Sequence, residues 1–238
     1  MLPGGDKEEN PMEEKALPVE PMAAFFTARA EGYDQHMLEE VEGCREGYEA
    51  MAQAAPEGVG KLLDLGCGTG LELGPLFRRF PEMAVTGIDL TRAMLEKLRE
   101  KYPGKALTLL EGDYLSMDLG QGQYDLAVSF QTMHHFSPEE KRELYRRIAR
   151  ALTPGGQYLE CDYVAASPEE EARLFAENRR LRQEQGISQT VLYHVDTPCT
   201  VETQLRLFRE AGFAQADFLW KMGNTALLAA KKIPEGSR

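Results

Sequence analysis

The sequence contains no run of about 18 apolar residues, so no transmembrane helix is encoded. It has no basic-then-apolar leader at the N-terminus and reads as a cytoplasmic chain. Cysteine is sparse: Cys44, Cys67, Cys161 and Cys199 form no CxxC pair and no Cys/His cluster with metal spacing. That argues against a zinc site and a disulfide framework, and four unpatterned thiols suit a reducing compartment. Positive charge is also in deficit, with 27 Lys and Arg against 39 Asp and Glu and a net charge of −12. Such a surface repels phosphate backbones and disfavours a nucleic-acid partner. The best local exception, "KRELYRRIAR" at Lys141 to Arg150, reads as the solvated face of a helix. No internal repeat is present.

The 238 residues suit one domain with a lid or appendage, and 42% hydrophobic and 28% charged content is ordinary for a globular protein. Residues 1–20 are rich in Pro, Gly and acids and read as a disordered tail. Residues 21–56 carry apolar positions at helical spacing, with Tyr33, Met37, Val41 and Tyr48 as anchors, and predict one or two helices ahead of the core.

Residues 57–238 then alternate. "KLLDLG", "AVTGIDL", "LTLLEGD", "YDLAVSF" and "QYLECDYV" read as strands, with helical segments between most of them. In the helix "PEEKRELYRRIARAL", Ser137 is the N-cap, Pro138 the first helical residue and Glu140 the closing member of a capping box. "TPGG" at Thr153 to Gly156 stops that helix. This βαβα rhythm predicts a parallel sheet with helices on both faces. Ser167-Pro168 starts a further helix, and "VETQLRLFREAGF" predicts another that ends at Gly212. "ADFLWKMG" and "TALLAAKK" predict a final hairpin turning at Gly223-Asn224, hence an antiparallel strand at the sheet edge.

"LLDLGCGTG", from Leu62 to Gly70, lies between the first strand and the helix after it, where ligands of open α/β sheets bind. The dinucleotide pattern G-x-G-x-x-G fails in both registers, because Leu71 and Leu73 stand where the third glycine belongs. No Gly-Lys-Ser/Thr follows, so it is not a Walker A loop. Asp64, two residues before Gly66, repels a phosphate and favours a cation.

This segment resembles the first motif of class I S-adenosylmethionine-dependent methyltransferases. "GIDL", "EGDYLSM", "YDLAVSFQTMHHF" and "LTPGGQYLECD" follow in the family's order, and the likeness runs from about Gly58 to Lys232. The resemblance implies a Rossmann-like seven-stranded mixed sheet of order 3-2-1-4-5-7-6, with strand 7 antiparallel. It implies S-adenosyl-L-methionine as cofactor and S-adenosyl-L-homocysteine as product. Gly66, Cys67, Gly68 and Gly70 form the loop around the methionyl end, and Asp64 supplies negative potential near the ammonium and sulfonium charges. Asp89, 19 residues past Gly70, is placed to accept from two ribose hydroxyls, beside Leu90. Asp113 is placed to accept from the adenine amino group with Tyr114 flanking the ring, and backbone at Ser129 and Phe130 lines the methionyl side.

Methyl transfer is an in-line displacement, and positioning alone contributes about 7–11 kcal/mol. A general base helps an oxygen or nitrogen acceptor. His135, His194 and Tyr33 are the candidates, with His134 adjacent and Asp196 available to orient His194; a bracing or lid role for these residues stays open. The leading helices, with Phe25, Phe26, Tyr33 and Met37, and the segment 163–200 are expected to cover the substrate. Metal-dependent members carry acid clusters at the fourth strand; Asp125 begins it with no Asp-Asn pair following, so no metal is expected. The expected activity is methyl transfer to a small molecule, without a membrane partner. A non-catalytic cofactor-binding protein, or an enzyme acting on RNA or protein, remains the alternative. Acceptor atom and oligomeric state stay open.

Overall fold

The computed structural model describes residues 20–188 and 191–233. The expected tail therefore lies outside the described residues, except for Glu20. Three short helices lead the chain: α1 (Met22–Arg29), α2 (Tyr33–Glu39) and α3 (Cys44–Ala54). The glycines before Tyr33 and Cys44 break what the apolar spacing alone would continue, so three helices stand where one or two are expected.

The core follows as β1 (Lys61–Leu65), α4 (Leu73–Arg79), β2 (Ala84–Asp89), α5 (Arg92–Lys101), β3 (Leu107–Glu111), β4 (Tyr124–Phe130), α6 (Pro138–Ala151), β5 (Leu152–Tyr163), α7 (Pro168–Glu184), α8 (Val201–Glu210), β6 (Gln215–Met222) and β7 (Thr225–Lys231). These strands form one sheet of order β3-β2-β1-β4-β5-β7-β6. β1 to β5 pair in parallel, and β7 runs antiparallel to both β5 and β6. The antiparallel strand is thus not the edge, a correction to the hairpin reading. The turn at Gly223 folds β7 back between β5 and β6, and β6 takes the edge.

Side-chain alternation explains why both faces are covered. Leu62, Val85, Val128 and Leu159 pack with α3, α4 and α5, while Leu63, Ala127 and Tyr158 pack with α6 and α8. The capping box at Ser137 is formed, with Glu140 N–H donating to Ser137 Oγ and Ser137 N–H to Glu140 Oε2. α6 stops at Ala151 as expected, but "TPGG" is not a free turn. It enters β5 through a register shift opposite Tyr124 and Leu126.

A polar group lies inside the α6–α8 face. Lys141 and Glu160 are fully buried; Tyr145 and Tyr158 donate to Glu160, and so does Gln204. Burial pushes the Glu160 carboxyl up to about 7, against the opposing pull of Lys141. α7 contrasts with the rest, since none of its residues is buried.

Candidate active site

The loop after β1 is held by its neighbours' backbone. Gly66 and Cys67 N–H both donate to Ile88 O, at 2.8 and 3.1 Å. Gly68 N–H donates to Asp89 Oδ2 at 2.9 Å, and Thr91 donates to Asp89 Oδ1 from both N–H and Oγ1. Gly66 and Gly68 have φ of +69° and +46°, the left-handed region that a side chain disfavours. Space tells the same story at Gly66, where a Cβ would meet Thr132 Oγ1 at 2.6 Å. Burial raises the Asp89 carboxyl above its ordinary range, while its donors from Thr91 and Gly68 pull it back.

Two more acids sit behind the loop. Asp64 and Glu72 are both buried, and both oxygens of Asp64 and Oε1 of Glu72 have no hydrogen-bond partner among the described residues. Burial raises both carboxyls, and at Asp64 the neighbouring Glu72 adds to the rise. Burial favours the protonated forms of this pair, so the two side chains offer hydrogen-bonding oxygens behind the glycine loop. Tyr33 lies over Gly68, and burial with Glu72 and Asp89 holds its phenol well above the ordinary value. It therefore keeps its proton and offers a hydrogen bond rather than a base.

Two cavities meet here. The smaller, about 40 Å³, is lined by Gly66, Gly68, Asp89, Leu90, Met94, Tyr114, Phe130, Gln131 and Thr132, and closed by Met22, Phe26 and Tyr33 from α1 and α2. The larger, about 910 Å³, lies beyond those helices and is lined by Phe25, Phe26, Tyr33, His134, His135, Tyr163, His194 and Asp196 among others. Phe26, Tyr33 and Gln131 line both. Gln131, directly after β4, is the only non-glycine described residue with positive φ, +49°; Nε2 donates to Thr225 Oγ1 at 3.0 Å.

The helices over the loop are pinned. Thr69 Oγ1 donates to Asp34, and Lys101 Nζ lies 2.6 Å from Asp34 Oδ2. On the other side, Met22 N–H donates to Leu192 O and His194 N–H to Glu20 O. Phe25 stacks on His194, centroids 3.6 Å apart, with the Arg29 guanidinium on the Phe25 ring. α1 and the strip around 191–197 thus close over the larger cavity as one layer.

The histidines behave differently from one another. His134 Nδ1 lies 2.5 Å from Asp162 Oδ1; burial opposes charging, but the Asp162 carboxylate raises His134 above its ordinary value. Burial, helped by His134 and His194, drops His135 well below it. Burial also lowers His194, with Asp196 opposing, so a neutral imidazole faces the larger cavity near pH 7.

Six of the expected cofactor residues, Gly66, Gly68, Asp89, Leu90, Tyr114 and Phe130, line the smaller cavity together. The others stand back from it. Cys67 turns under the sheet, where a Cβ on Gly87 would meet its Sγ at 2.8 Å. Gly70 packs on Leu98. Asp113 Oδ1 accepts Leu115 N–H at 2.8 Å within its own turn, and Ser129 Oγ pairs with Tyr158 Oη at 2.7 Å on the opposite face. Glu72, Gln131, Thr132 and Asp162 were not singled out from the sequence. Only the position of Gln131 and Thr132 just past the fourth strand could have pointed to them.

The chemistry of the lining fits a nucleoside carrying a cationic amino acid. Leu90, Met94 and Tyr114 form an apolar slot, Asp89 supplies carboxylate oxygens, and the left-handed glycines bring backbone close. The sheet order and this loop define a Rossmann-like protein of the methyltransferase type. Residues 62–156 match the model of the methyltransferase domain family. An uncharacterized methyltransferase of Geobacillus kaustophilus is 28% identical over 209 residues, 85% of this chain and 93% of that one. Another from Mycobacterium tuberculosis is 31% identical over 121 residues, 50% of this chain and 59% of the relative, so the match spans little more than half of that protein. Among solved structures, human N-acetylserotonin methyltransferase in complex with S-adenosylmethionine aligns with a TM-score of 0.65 at 18% identity, over 94% of this chain and 60% of that one. DesVI of Streptomyces venezuelae aligns at 0.60 and 19%, over 87% and 98%. At these identities the structural likeness is one of fold. Over residues 62–156, and in its sheet order, the chain is similar to class I S-adenosylmethionine-dependent methyltransferases.

Proposed function

We propose that the protein transfers the methyl group of S-adenosylmethionine to a small-molecule acceptor held in the larger cavity. The observation that carries this reading is the junction of the two cavities at Phe26, Tyr33 and Gln131. One side offers the glycine loop and Asp89; the other is a half-open, aromatic and imidazole-lined cleft of about 910 Å³, the size of a drug-like ligand site. Neither RNA nor a folded protein surface fits such a cleft without opening α1, and the net charge of −12 works against RNA.

When bound, the cofactor supplies a methyl group on a sulfonium, already a good leaving group. Asp89 would hold the ribose, exchanging its bond from Gly68 N–H for hydroxyl donors. Tyr114 and Leu90 would flank the base, with Gly66, Gly68, Phe130 and backbone at Ser129 along the methionyl arm. A cationic ligand above the loop would favour the ionised forms of Asp64 and Glu72, which burial alone disfavours. Cys67 and Gly70 would shape the loop, and Asp113 would set the turn that carries Tyr114. His194 is the base of choice: its ring nitrogen is neutral near pH 7 and takes the proton that an O–H or N–H acceptor releases. His135 would brace that ring from 4.9 Å, and Tyr33 would donate to substrate or cofactor. α1, α2 and, from the segment 163–200, Tyr163, His194 and Asp196 would cover the acceptor and exclude water.

The cavity at the loop is far smaller than a nucleoside, so Met22, Phe26 and Tyr33 must swing away before the cofactor enters. The test is turnover of labelled S-adenosylmethionine against a panel of phenols, amines and carboxylic acids. Product labelling that disappears with His194→Gln supports the reading. Cofactor binding with no labelling across the panel favours a non-catalytic binding protein instead.

A further inference from the structure

His134, His135 and Asp196 converge at the rim of the larger cavity. Asp196 Oδ1 lies 3.5 Å from His134 Nε2 and 3.5 Å from His135 Nδ1. One donor atom from each of the three lies within 4.8 Å of the others. The pairs are too long for hydrogen bonds of ordinary length. They lie just above the separation of neighbouring ligands around one dication, about 3.0–3.4 Å for bonds of 2.0–2.1 Å, so a small inward shift would let them share one ion. We propose that these three side chains bind one divalent first-row transition metal, with its open positions facing the acceptor.

The surroundings support this independently. Asp162 on β5, 2% exposed, fixes His134 from behind: its Oδ1 takes the Nδ1 proton at 2.5 Å, which leaves Nε2 free to ligate. A carboxylate behind a ligating imidazole is the usual outer-shell arrangement of such sites. Asp162 Oδ2 is buried with no partner among the described residues, and Tyr163 N–H donates to Oδ1 at 2.8 Å. Two carboxylates, Asp162 and Asp196, therefore face a pair of imidazoles with no Lys or Arg bonded to either acid among the described residues. Asp196 is not a loose surface acid. The next residue, Thr197, donates to His134 O from N–H at 2.7 Å and from Oγ1 at 3.2 Å. The sequence hides the site because 60 residues separate His135 from Val195, whose carbonyl lies 3.3 Å from His135 Nδ1.

Two imidazoles and one carboxylate suit zinc, cobalt, nickel or iron(II), and not magnesium or calcium, which take oxygen ligands. All three ligands line the larger cavity. In that place the metal would ligate an acceptor hydroxyl and lower its pKa, with His194 alongside to take the proton. That role rests on the methyl-transfer reading; the site itself does not.

Tag-free protein, stripped with a chelator, is titrated with Co(II) by visible absorption and with Zn(II) by calorimetry; S-adenosylhomocysteine is titrated in parallel. The expected result is one equivalent bound per chain, without a thiolate charge-transfer band, so that the four buried cysteines are not the ligands. Asp196→Asn, a half-exposed position, weakens Co(II) at least tenfold and leaves S-adenosylhomocysteine binding unchanged. Asp162→Asn weakens it about 10- to 100-fold, the usual cost of an outer-shell partner. Absence of saturable Co(II) binding in protein that binds S-adenosylhomocysteine overturns the site and leaves methyl transfer standing. Equal Co(II) affinity in wild type and Asp196→Asn also overturns it. One equivalent of metal with no S-adenosylhomocysteine binding keeps the site and removes the transfer reading.

Discussion

Asp89 Oδ2 accepts the backbone N–H of Gly68 at 2.9 Å, so the end of β2 fastens the loop that leaves β1. The same carboxylate lines the cavity at the loop and, in the proposed complex, meets the ribose. It shapes the pocket and binds the ligand with the same atoms. Asp89→Ala should weaken S-adenosylhomocysteine binding more than tenfold, because a buried charged partner is lost from both tasks. Calorimetry checks this; unchanged affinity would remove the ribose assignment.

Gly68 has φ +46°, and a Cβ there lies 3.7 Å from the Tyr33 ring. Gly68→Val places a β-branched residue in left-handed backbone under the closing helix. Cofactor binding should fall below detection while circular dichroism still reports a folded sheet. Normal binding would mean that the loop is only a turn.

Asp34 ties α2 to Thr69 of the loop and to Lys101 of α5. If α1 and α2 must open for entry, Asp34→Ala should raise the association rate of S-adenosylhomocysteine, measured by stopped-flow fluorescence from Trp220. An unchanged rate would mean that these contacts do not gate the cavity.

Burial lowers the pKa of His194, with Asp196 opposing, so its basic form is reached at lower pH than for a free imidazole. Methyl transfer to a hydroxyl should rise with pH to a plateau, on a limb displaced to lower pH than that of a free imidazole. His194→Gln should abolish that limb and cost about 10²-fold or more in kcat. A pH profile unchanged in the variant would assign the base elsewhere.

Glu160 gives a stability prediction of the opposite kind to a salt-bridged acid. Burial raises its folded value from 4.5 to about 7, so the folded state holds the proton more tightly than the unfolded chain. Its contribution is fully present below pH 4.5 and is lost as pH rises through 7. Tm should fall between pH 5 and pH 8, and Glu160→Gln should flatten that fall. An equal slope in the variant would contradict it.

The strands and the glycine loop were legible because their signals are local, while the strand order came from the resemblance. Alternating strands, the Ser137 capping box and the three spaced glycines each sit within one element. The resemblance placed β7 between β5 and β6, as observed, but the hairpin pattern alone did not. A hairpin shows which strands pair with each other, while β5 decides which of the two it accepts. The cleft was least legible. His134 meets Asp162 28 residues away, Phe25 meets His194 across most of the chain, and Glu72 turns inward from a helix start that reads as solvent-facing. Such contacts depend on how the lid layer lies over the sheet, which no periodicity encodes.

The most direct test of the central claim is a calorimetric titration with S-adenosylhomocysteine, using a nicotinamide dinucleotide as control. Micromolar binding of the first and none of the second is the predicted result. Binding of the dinucleotide, or of neither ligand at any temperature where the protein is folded, would contradict the assignment of the glycine loop and Asp89 to this cofactor.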